Sequence, residues 1–202
     1  MRTLMFWLLV AAALLASGCS SVPGDAAARS GHPEQAAELY RRGAEQGDAS
    51  AALRLGLLVD QGRVSAATYG EAGNWFKKGC GLGNLPSCHN VGVAHEYGKN
   101  GLPKDYAEAR NFYLKGAAAG YMQSQYNLAS LYSNSHVTPP NDVDGLKWML
   151  LAQMAADKCK QQELCQWVLR DPPGHKERLE SRLSSAQREE ALTLAKQWNA
   201  KE

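Results

Sequence analysis

Apolar residues recur three and four positions apart along most of the chain, in two kinds of segment that alternate. The first kind, exemplified by residues 49–62, centres on a leucine that is followed by a glycine. The second kind, exemplified by residues 72–83, has two bulky aromatic residues in its middle. Both kinds have the spacing of an amphipathic helix, so two successive segments predict one helix–loop–helix unit.

The helix–loop–helix unit repeats at steps of 36, 37 and 36 residues. The copies of the aromatic segment are "AAELYRRGAEQG" (36–47), "AGNWFKKGCGLG" (72–83), "ARNFYLKGAAAG" (109–120) and "GLKWMLLAQMAA" (145–156). The copies of the other segment are residues 49–62, 85–98 and 122–135. Helix pairs with this period stack into a solenoid, because a single pair cannot bury its apolar face alone. The sequence therefore predicts an all-α protein with an α-solenoid over residues 32–170.

A small residue occupies one fixed position in the first helix of each unit. This position is filled by Gly56, Gly92 and Ala129. Glycine inside a helix costs about 1 kcal/mol relative to alanine. Its recurrence in mid-helix predicts a close approach of two helices, with the aromatic residue of the second helix filling the gap.

Helix ends and a C-terminal cap can also be located. Gly62 and Gly98 suit the left-handed turn that ends a helix, and N-caps are expected at Thr68, Asp105 and Asn141. Residues 171–202 are predicted to form C-terminal capping helices after the break at "DPPG". The last helix opens with a capping-box spacing, Ser184 to Gln187, and its apolar stripe consists of Ala191, Leu194, Ala195 and Trp198.

The repeat resembles a known family. Its best copy is "HNVGVAHEYGKNGLPKDYAEARNFYLKGAAAG" (89–120), and the pattern "A…LG…Y/H…G…D(Y)…A…W/F" extends over about residues 33–156. This pattern resembles the Sel1-like repeat, a relative of the tetratricopeptide repeat. The loop "RVSAATYG" departs from it, and Ser135 stands where glycine is usual. The resemblance implies a concave groove, lined by the first helix of each pair, that binds a protein or peptide partner.

The first residues predict export and a lipid anchor. "MRTLMFWLLVAAALLASGC" has one basic residue, a short apolar run and small residues before Cys19. It resembles a lipobox, so residues 1–18 would be removed as a signal peptide and Cys19 would be lipidated. An ordinary signal peptide with an incidental cysteine is the alternative. Residues 19–31 are expected to be a flexible tether. By analogy with enterobacterial sorting, Ser20 favours an outer-membrane lipoprotein that faces the periplasm, with surface exposure as a further option.

Charge excludes one class of partner. Subtracting Arg2 from the 22 basic residues leaves 21, against 20 acidic residues, so the mature chain is nearly neutral. No basic run is interleaved with aromatic residues, and we do not expect nucleic acid to bind. We expect a monomer without a cofactor.

Four cysteines remain besides Cys19. Cys80 and Cys88 flank a tight turn between two predicted helices, which can bring their Cα atoms within reach of a disulfide. The even count and an oxidising compartment favour disulfides. A zinc site or a redox pair is the alternative for Cys80 and Cys88. Cys159 and Cys165 would form the second local pair if "KCKQQELC" contains a bend. The C-x7-C spacing is also similar to the cysteine-rich Hcp subfamily of Sel1-like proteins, where it clips neighbouring helices together.

No residue is assigned to catalysis or to a metal. His95 is expected to be a packing residue, because it occupies the slot of Val59 and Tyr132. Some Hcp relatives carry a penicillin-binding or β-lactamase label, so a β-lactam-recognising enzyme is retained as the alternative function.

The candidate binding residues lie in the groove that the resemblance implies. Arg54, Asn90 and Asn127 share one non-core slot and could hydrogen-bond an extended backbone or a carboxylate. Tyr97 and Tyr126 would add aromatic anchors if they are exposed on the same side. An ordinary solvated helix face is the alternative interpretation of all five residues.

Overall fold

The computed structural model describes residues 22–136, 140–171 and 173–199. These residues form twelve α-helices and no strand. The helices are α1 (Asp25–Arg29), α2 (Pro33–Glu45), α3 (Ala49–Asp60), α4 (Ala66–Tyr69), α5 (Ala72–Gly81), α6 (Leu85–Tyr97), α7 (Tyr106–Ala118), α8 (Met122–Ser133), α9 (Asp142–Asp157), α10 (Glu163–Arg170), α11 (His175–Ser181) and α12 (Ser185–Asn199). The signal peptide and Cys19 lie outside the described residues. No described helix is both long enough and apolar enough to span a membrane.

The helices stack in the order of the sequence repeats. Helix α3 packs on α5, α6 on α7 and α8 on α9, and each pair is joined to the one before it through α2–α3, α5–α6 and α7–α8 contacts. Two apolar clusters run through the stack, one from Ala36 to Leu102 and one from Ala109 to Ala195. The predicted all-α solenoid is confirmed.

The glycines in mid-helix are explained by aromatic rings of the partner helix. A Cβ atom on Gly56 would lie 2.5 Å from Cε1 of Phe76, and one on Gly92 would lie 2.5 Å from Cδ1 of Tyr113. Phe76 and Tyr113 are the aromatic residues of α5 and α7, and both are fully buried. The predicted close approach of the two helices in each pair is confirmed.

We expect Gly92→Ala to lower the free energy of unfolding by about 2 kcal/mol, because overpacking a well-packed core typically costs more than the helix propensity that alanine gains. The ring of Tyr113 cannot give way easily, since its hydroxyl is hydrogen-bonded to Glu96 and Asn127. Urea unfolding measures the change. Gly81→Ala is the matched control, because nothing lies within 4 Å of the added methyl group there. An equal response of the two variants would contradict the steric explanation.

Two of the three expected N-caps are present. Asp105 accepts hydrogen bonds from the backbone amides of Ala107 and Glu108, and Asn141 accepts one from Asp144. The N-cap at Thr68 is wrong. Thr68 lies within the short helix α4, which the irregular loop "RVSAATYG" forms after Ser65, and α5 begins after Glu71 instead.

The N-terminal segment differs from its prediction. Residues 22–31 were expected to belong to a flexible tether, but they contain α1 and pack on the first apolar cluster. The Tyr40 hydroxyl donates to Asp25 Oδ1 at 2.6 Å, and Arg63 Nη2 donates to the carbonyl oxygen of Ala28. Val22, Ala27 and Ala28 supply the apolar contacts of this segment, and the hydrogen bond between Tyr40 and Asp25 adds a polar one.

The C-terminal helices cover the last pair of the stack. Helix α12 packs on α9 through Ala191 and Ala195, and Trp198 contacts Trp148 edge to face with 5.3 Å between ring centroids. Ser184 and Gln187 exchange the hydrogen bonds of a capping box. Leu194, which belongs to the same stripe, remains exposed.

Candidate functional site

The non-core slots of α3, α6 and α8 recur in the same register, and we call this set of residues the groove stripe. It consists of Arg54 and Leu57 of α3 with its C-cap Gln61, Asn90, Val93 and Tyr97 of α6, and Asn127 and Ser130 of α8 with its C-cap Asn134. Every one of these residues is at least partly exposed, whereas the neighbouring core slots are buried. The stripe is mostly polar and uncharged, with apolar residues at its middle slots in α3 and α6.

Arg54 is the first residue of the groove stripe along the chain. Its Nε lies 3.4 Å from Oδ1 of Asp25, the same oxygen that accepts the Tyr40 hydroxyl. Burial and the hydrogen bond to Asp25 raise the pKa of Tyr40 to about 12, so this phenol remains a donor at neutral pH. Arg54 is therefore engaged within the chain, and α1 closes this end of the stripe.

Asn127 is also engaged within the chain. Its Nδ2 donates to the hydroxyl of Tyr113 at 3.2 Å, and that hydroxyl donates to Oε2 of Glu96 at 2.7 Å. Burial and the Glu96 charge raise the pKa of Tyr113, which keeps the phenol protonated. Asn90 is half-buried and has no side-chain hydrogen bond within the described part of the chain. Of the three predicted polar residues, Asn90 has the side chain that no internal bond holds.

The two tyrosines do not share a side. Tyr97 is 66% exposed on the stripe, as expected, whereas Tyr126 is only 3% exposed. The Tyr126 hydroxyl donates to Oδ1 of Asp171 at 2.7 Å, and its ring lies 4.9 Å from that of Trp167. The assignment of Tyr126 to the groove is wrong, because the helices after α9 cover its side of α8.

The repeat register places Tyr126 in a different slot from the groove stripe. Tyr126 shares its slot with Leu53 and His89, and both of these are partly or largely removed from solvent. One position along an α-helix rotates a side chain by about 100°, which separates this slot from that of Asn127.

Helix α11 closes the other end of the stripe. Arg178 Nη2 donates to Asn134 Oδ1 at 3.3 Å, and the Nδ1 atom of His175 lies 2.6 Å from both Arg178 Nη2 and Ser133 Oγ. Because a guanidinium only donates, Nδ1 is an acceptor here. Burial lowers the pKa of His175, although the nearby Asp171 charge opposes this effect.

The contact between Ser133 and His175 does not form a nucleophilic site. Ser133 is 2% exposed, and Asp171 is bonded to Tyr126 and to the backbone amide of Lys176 rather than to His175. A serine hydrolase requires an accessible hydroxyl and a carboxylate that orients the histidine. No contact in the described ranges supports the β-lactam-recognising alternative. His95 packs as expected, with Nδ1 at 3.0 Å from the carbonyl oxygen of Pro103.

Both cysteine pairs form local disulfides. Cys80 at the end of α5 is bonded to Cys88 in the first turn of α6, with 4.6 Å between Cα atoms. Cys159 is bonded to Cys165 across the bend between α9 and α10, with 5.9 Å between Cα atoms. The sequence-based pairing is confirmed, including the bend within "KCKQQELC".

The comparison with family models agrees with this architecture. The Sel1 repeat model matches residues 26–48, 49–84, 85–121 and 123–157. The chain belongs to the Sel1 repeat family. The first Sel1 repeat consists of α1 and α2, so α1 is a shortened first helix of a repeat. Its docking on α2 is therefore part of the solenoid.

Solved structures with the same fold include two Sel1-type proteins. One is a protective antigen present in uropathogenic Escherichia coli strains that displays an SLR fold, with a TM-score of 0.64 and 25% identity over 82% of this chain and 32% of that one. The other is a Sel1 repeat protein from Oxalobacter formigenes, with a TM-score of 0.51 and 25% identity over 60% of this chain and 50% of that one. This chain thus spans between about a third and a half of their lengths. The curated proteins gave no match. Sel1 repeat proteins are generally scaffolds for protein interactions and are typically not enzymes.

Proposed function

We propose that this protein is a lipid-anchored scaffold of the bacterial cell envelope that binds an extended segment of a partner protein along the groove stripe. The exposed Tyr97, at the C-terminal end of α6 in the stripe, carries this proposal, because exposed aromatic residues commonly anchor protein interfaces. The stripe around it offers amide groups and two partly exposed apolar side chains, Leu57 and Val93, which suit main-chain hydrogen bonds and a shallow apolar contact.

The envelope location rests on two features of the chain. The lipobox-like ending before Cys19 lies outside the described residues and provides the proposed anchor to the outer membrane. The two disulfides are the second feature, since such bonds persist in the periplasm and are rare in the cytosol. The proposed protein faces the periplasm and acts as a monomer on its partner.

Site-specific photo-crosslinking in living cells tests both parts of the proposal. We expect a photoreactive phenylalanine analogue at position 97 to give a discrete crosslinked product in the membrane fraction. The same analogue at position 61, which is the equivalent slot in α3, should give the same product. Cys19→Ala should move the protein out of the membrane fraction.

The matched control is the analogue at position 82. Leu82 is 45% exposed in the turn after α5, away from the groove stripe, and should give no product of that size. Products of equal intensity at positions 82 and 97 would contradict the groove as the binding site. If Cys19→Ala leaves the protein in the membrane fraction, the lipid anchor is contradicted but the groove proposal is not.

A further inference from the structure

Two places in the solenoid share one arrangement of three side chains. In each, a tyrosine of a second helix donates its hydroxyl to a carboxylate of the preceding first helix, and a polar residue of the following first helix contacts one member of this pair. Arg54 contacts the Asp25 carboxylate, whereas Asn127 donates to the Tyr113 hydroxyl. The N-terminal triad consists of Tyr40, Asp25 and Arg54, and the central triad consists of Tyr113, Glu96 and Asn127.

The two triads differ in charge. In the N-terminal triad, the guanidinium of Arg54 neutralises the carboxylate of Asp25. In the central triad, the corresponding slot holds Asn127, a neutral amide. No Lys, Arg or His among the described residues has a nitrogen within 4 Å of the Glu96 carboxylate. The central triad therefore retains a negative charge that its N-terminal counterpart has lost.

The surroundings of Glu96 destabilise a carboxylate whose charge is not neutralised. It is only 8% exposed, so much of its hydration has been removed. It is also the second-last residue of α6, where the helix dipole is negative and favours a cation. The nearest lysine in sequence, Lys99, pairs with Asp60 of α3 at 3.6 Å.

We propose that Glu96 is the anionic end of a cation subsite in the groove, which binds an arginine side chain of the partner segment. The exposed ring of Tyr97 would contribute a face on which a guanidinium can stack. The Glu96 carboxylate and the Tyr97 phenol are close enough to interact, since the negative charge of Glu96 raises the pKa of Tyr97. This inference rests on the proposed groove function and specifies the chemistry of its ligand.

A titration of the full chain in detergent micelles, followed by NMR, tests the subsite. The probe is the tripeptide acetyl-Gly-Arg-Gly-amide, and its citrulline analogue has the same shape without the charge. We expect the arginine probe to shift the side-chain amide signals of Asn127 and to bind at least tenfold more tightly than the citrulline probe.

Three variants locate the binding. Glu96→Gln keeps an acceptor for Tyr113 and should weaken binding of the arginine probe at least tenfold. Asn127→Arg places a cation inside the subsite, as Arg54 does in the N-terminal triad, and should weaken binding of this probe to the same extent. Asp60→Asn is the matched control, because Asp60 occupies the slot of Glu96 one repeat earlier and is already paired with Lys99; it should change binding less than twofold.

Equal binding of the two probes, or an unchanged affinity of Glu96→Gln, would overturn the subsite. Neither outcome affects the photo-crosslinks at positions 61 and 97, so failure of the subsite is distinguishable from failure of the groove proposal.

Discussion

Replacing Cys80 and Cys88 together by alanine is expected to lower the free energy of unfolding by about 2.6 kcal/mol, the loop entropy that the chain-entropy model assigns to a nine-residue loop. Removal of natural disulfides from small secreted domains costs about 2–5 kcal/mol, so this value lies near the lower limit. Urea unfolding of the oxidised protein and of the double variant measures the difference.

The double variant should still fold, because the same joint occurs twice without a covalent bond. One repeat earlier, the equivalent positions hold Ala44 and Ala52, and both are fully buried. One repeat later, they hold Ala117 and Gln125, and the Gln125 side chain donates to the carbonyl oxygen of Ala117 at 3.3 Å. The disulfide thus adds stability to a helix joint that packing alone can form.

This comparison supplies a matched variant, Cys80→Ala with Cys88→Gln. If glutamine forms the bond that Gln125 forms, the variant should recover about 1 kcal/mol of the loss. In the presence of a reductant, the wild type and the double alanine variant should unfold at the same urea concentration, since both then lack the two disulfides. A difference that persists under reduction would assign the effect to the buried thiol of Cys88 rather than to the bond.

The repeat period allowed most of the fold to be predicted. The period located the helix pairs, and the register of Gly56 and Gly92 predicted the ring contacts that the structure contains. Each of these features recurs along the chain, so a chance match in one repeat can be recognised by comparison with the other repeats. Features that occur once were harder to predict. Thr68 fitted the N-cap position of the other repeats, but its loop forms the extra helix α4.

The structure near the two ends of the solenoid was also hard to predict, because it does not recur along the chain. The segment around Asp25 has no periodic apolar pattern, because a single helical turn is too short to display one. What orders it is a set of long-range contacts with Tyr40, Arg54 and Arg63, whose partners are separated by 15 to 35 residues. Tyr126 was misplaced for a related reason. Its burial depends on Asp171 and Trp167 of the C-terminal helices, which do not follow the repeat.

The sequence register predicted the exposure of three groove residues but not their contacts. Arg54, Asn90 and Asn127 are all at least partly exposed, and their role in binding stays a prediction. The register did not reveal that Arg54 and Asn127 belong to tyrosine–carboxylate triads, because Asp25 and Glu96 do not occupy equivalent places in their helices. The unequal charge of the two triads emerged only from the contacts between helices.

His89 is expected to make the protein markedly less stable in mild acid. Burial lowers its pKa from 6.5 to about 4, and no charged group offsets this effect. Its ring packs between those of Tyr113 and Tyr121, at centroid distances of 5.6 and 5.7 Å. Its Nδ1 atom is buried and has no hydrogen-bond partner among the described residues. The folded state therefore holds a neutral imidazole that cannot readily accept a proton.

The sign of the pH dependence follows from the two protonation states. Above pH 6.5 the imidazole is neutral in both the folded and the unfolded chain, and its contribution does not change with pH. Between pH 6.5 and pH 4 the unfolded chain takes up a proton that the folded chain does not. Stability should then fall by about 1.4 kcal/mol per pH unit, to a total of about 3 kcal/mol at pH 4.

His89→Leu is the variant that isolates this effect, because Leu53 fills the same slot one repeat earlier and packs on the apolar cluster. The urea midpoint of the variant should vary less between pH 7 and pH 4.5 than that of the wild type. A residual dependence of the same sign is expected from His175, whose pKa burial also lowers. His32→Leu is the matched control, since His32 is exposed and its replacement should leave the wild-type dependence intact. Parallel pH profiles for the wild type and His89→Leu would show that His89 accepts its proton in the folded state as readily as in the unfolded one.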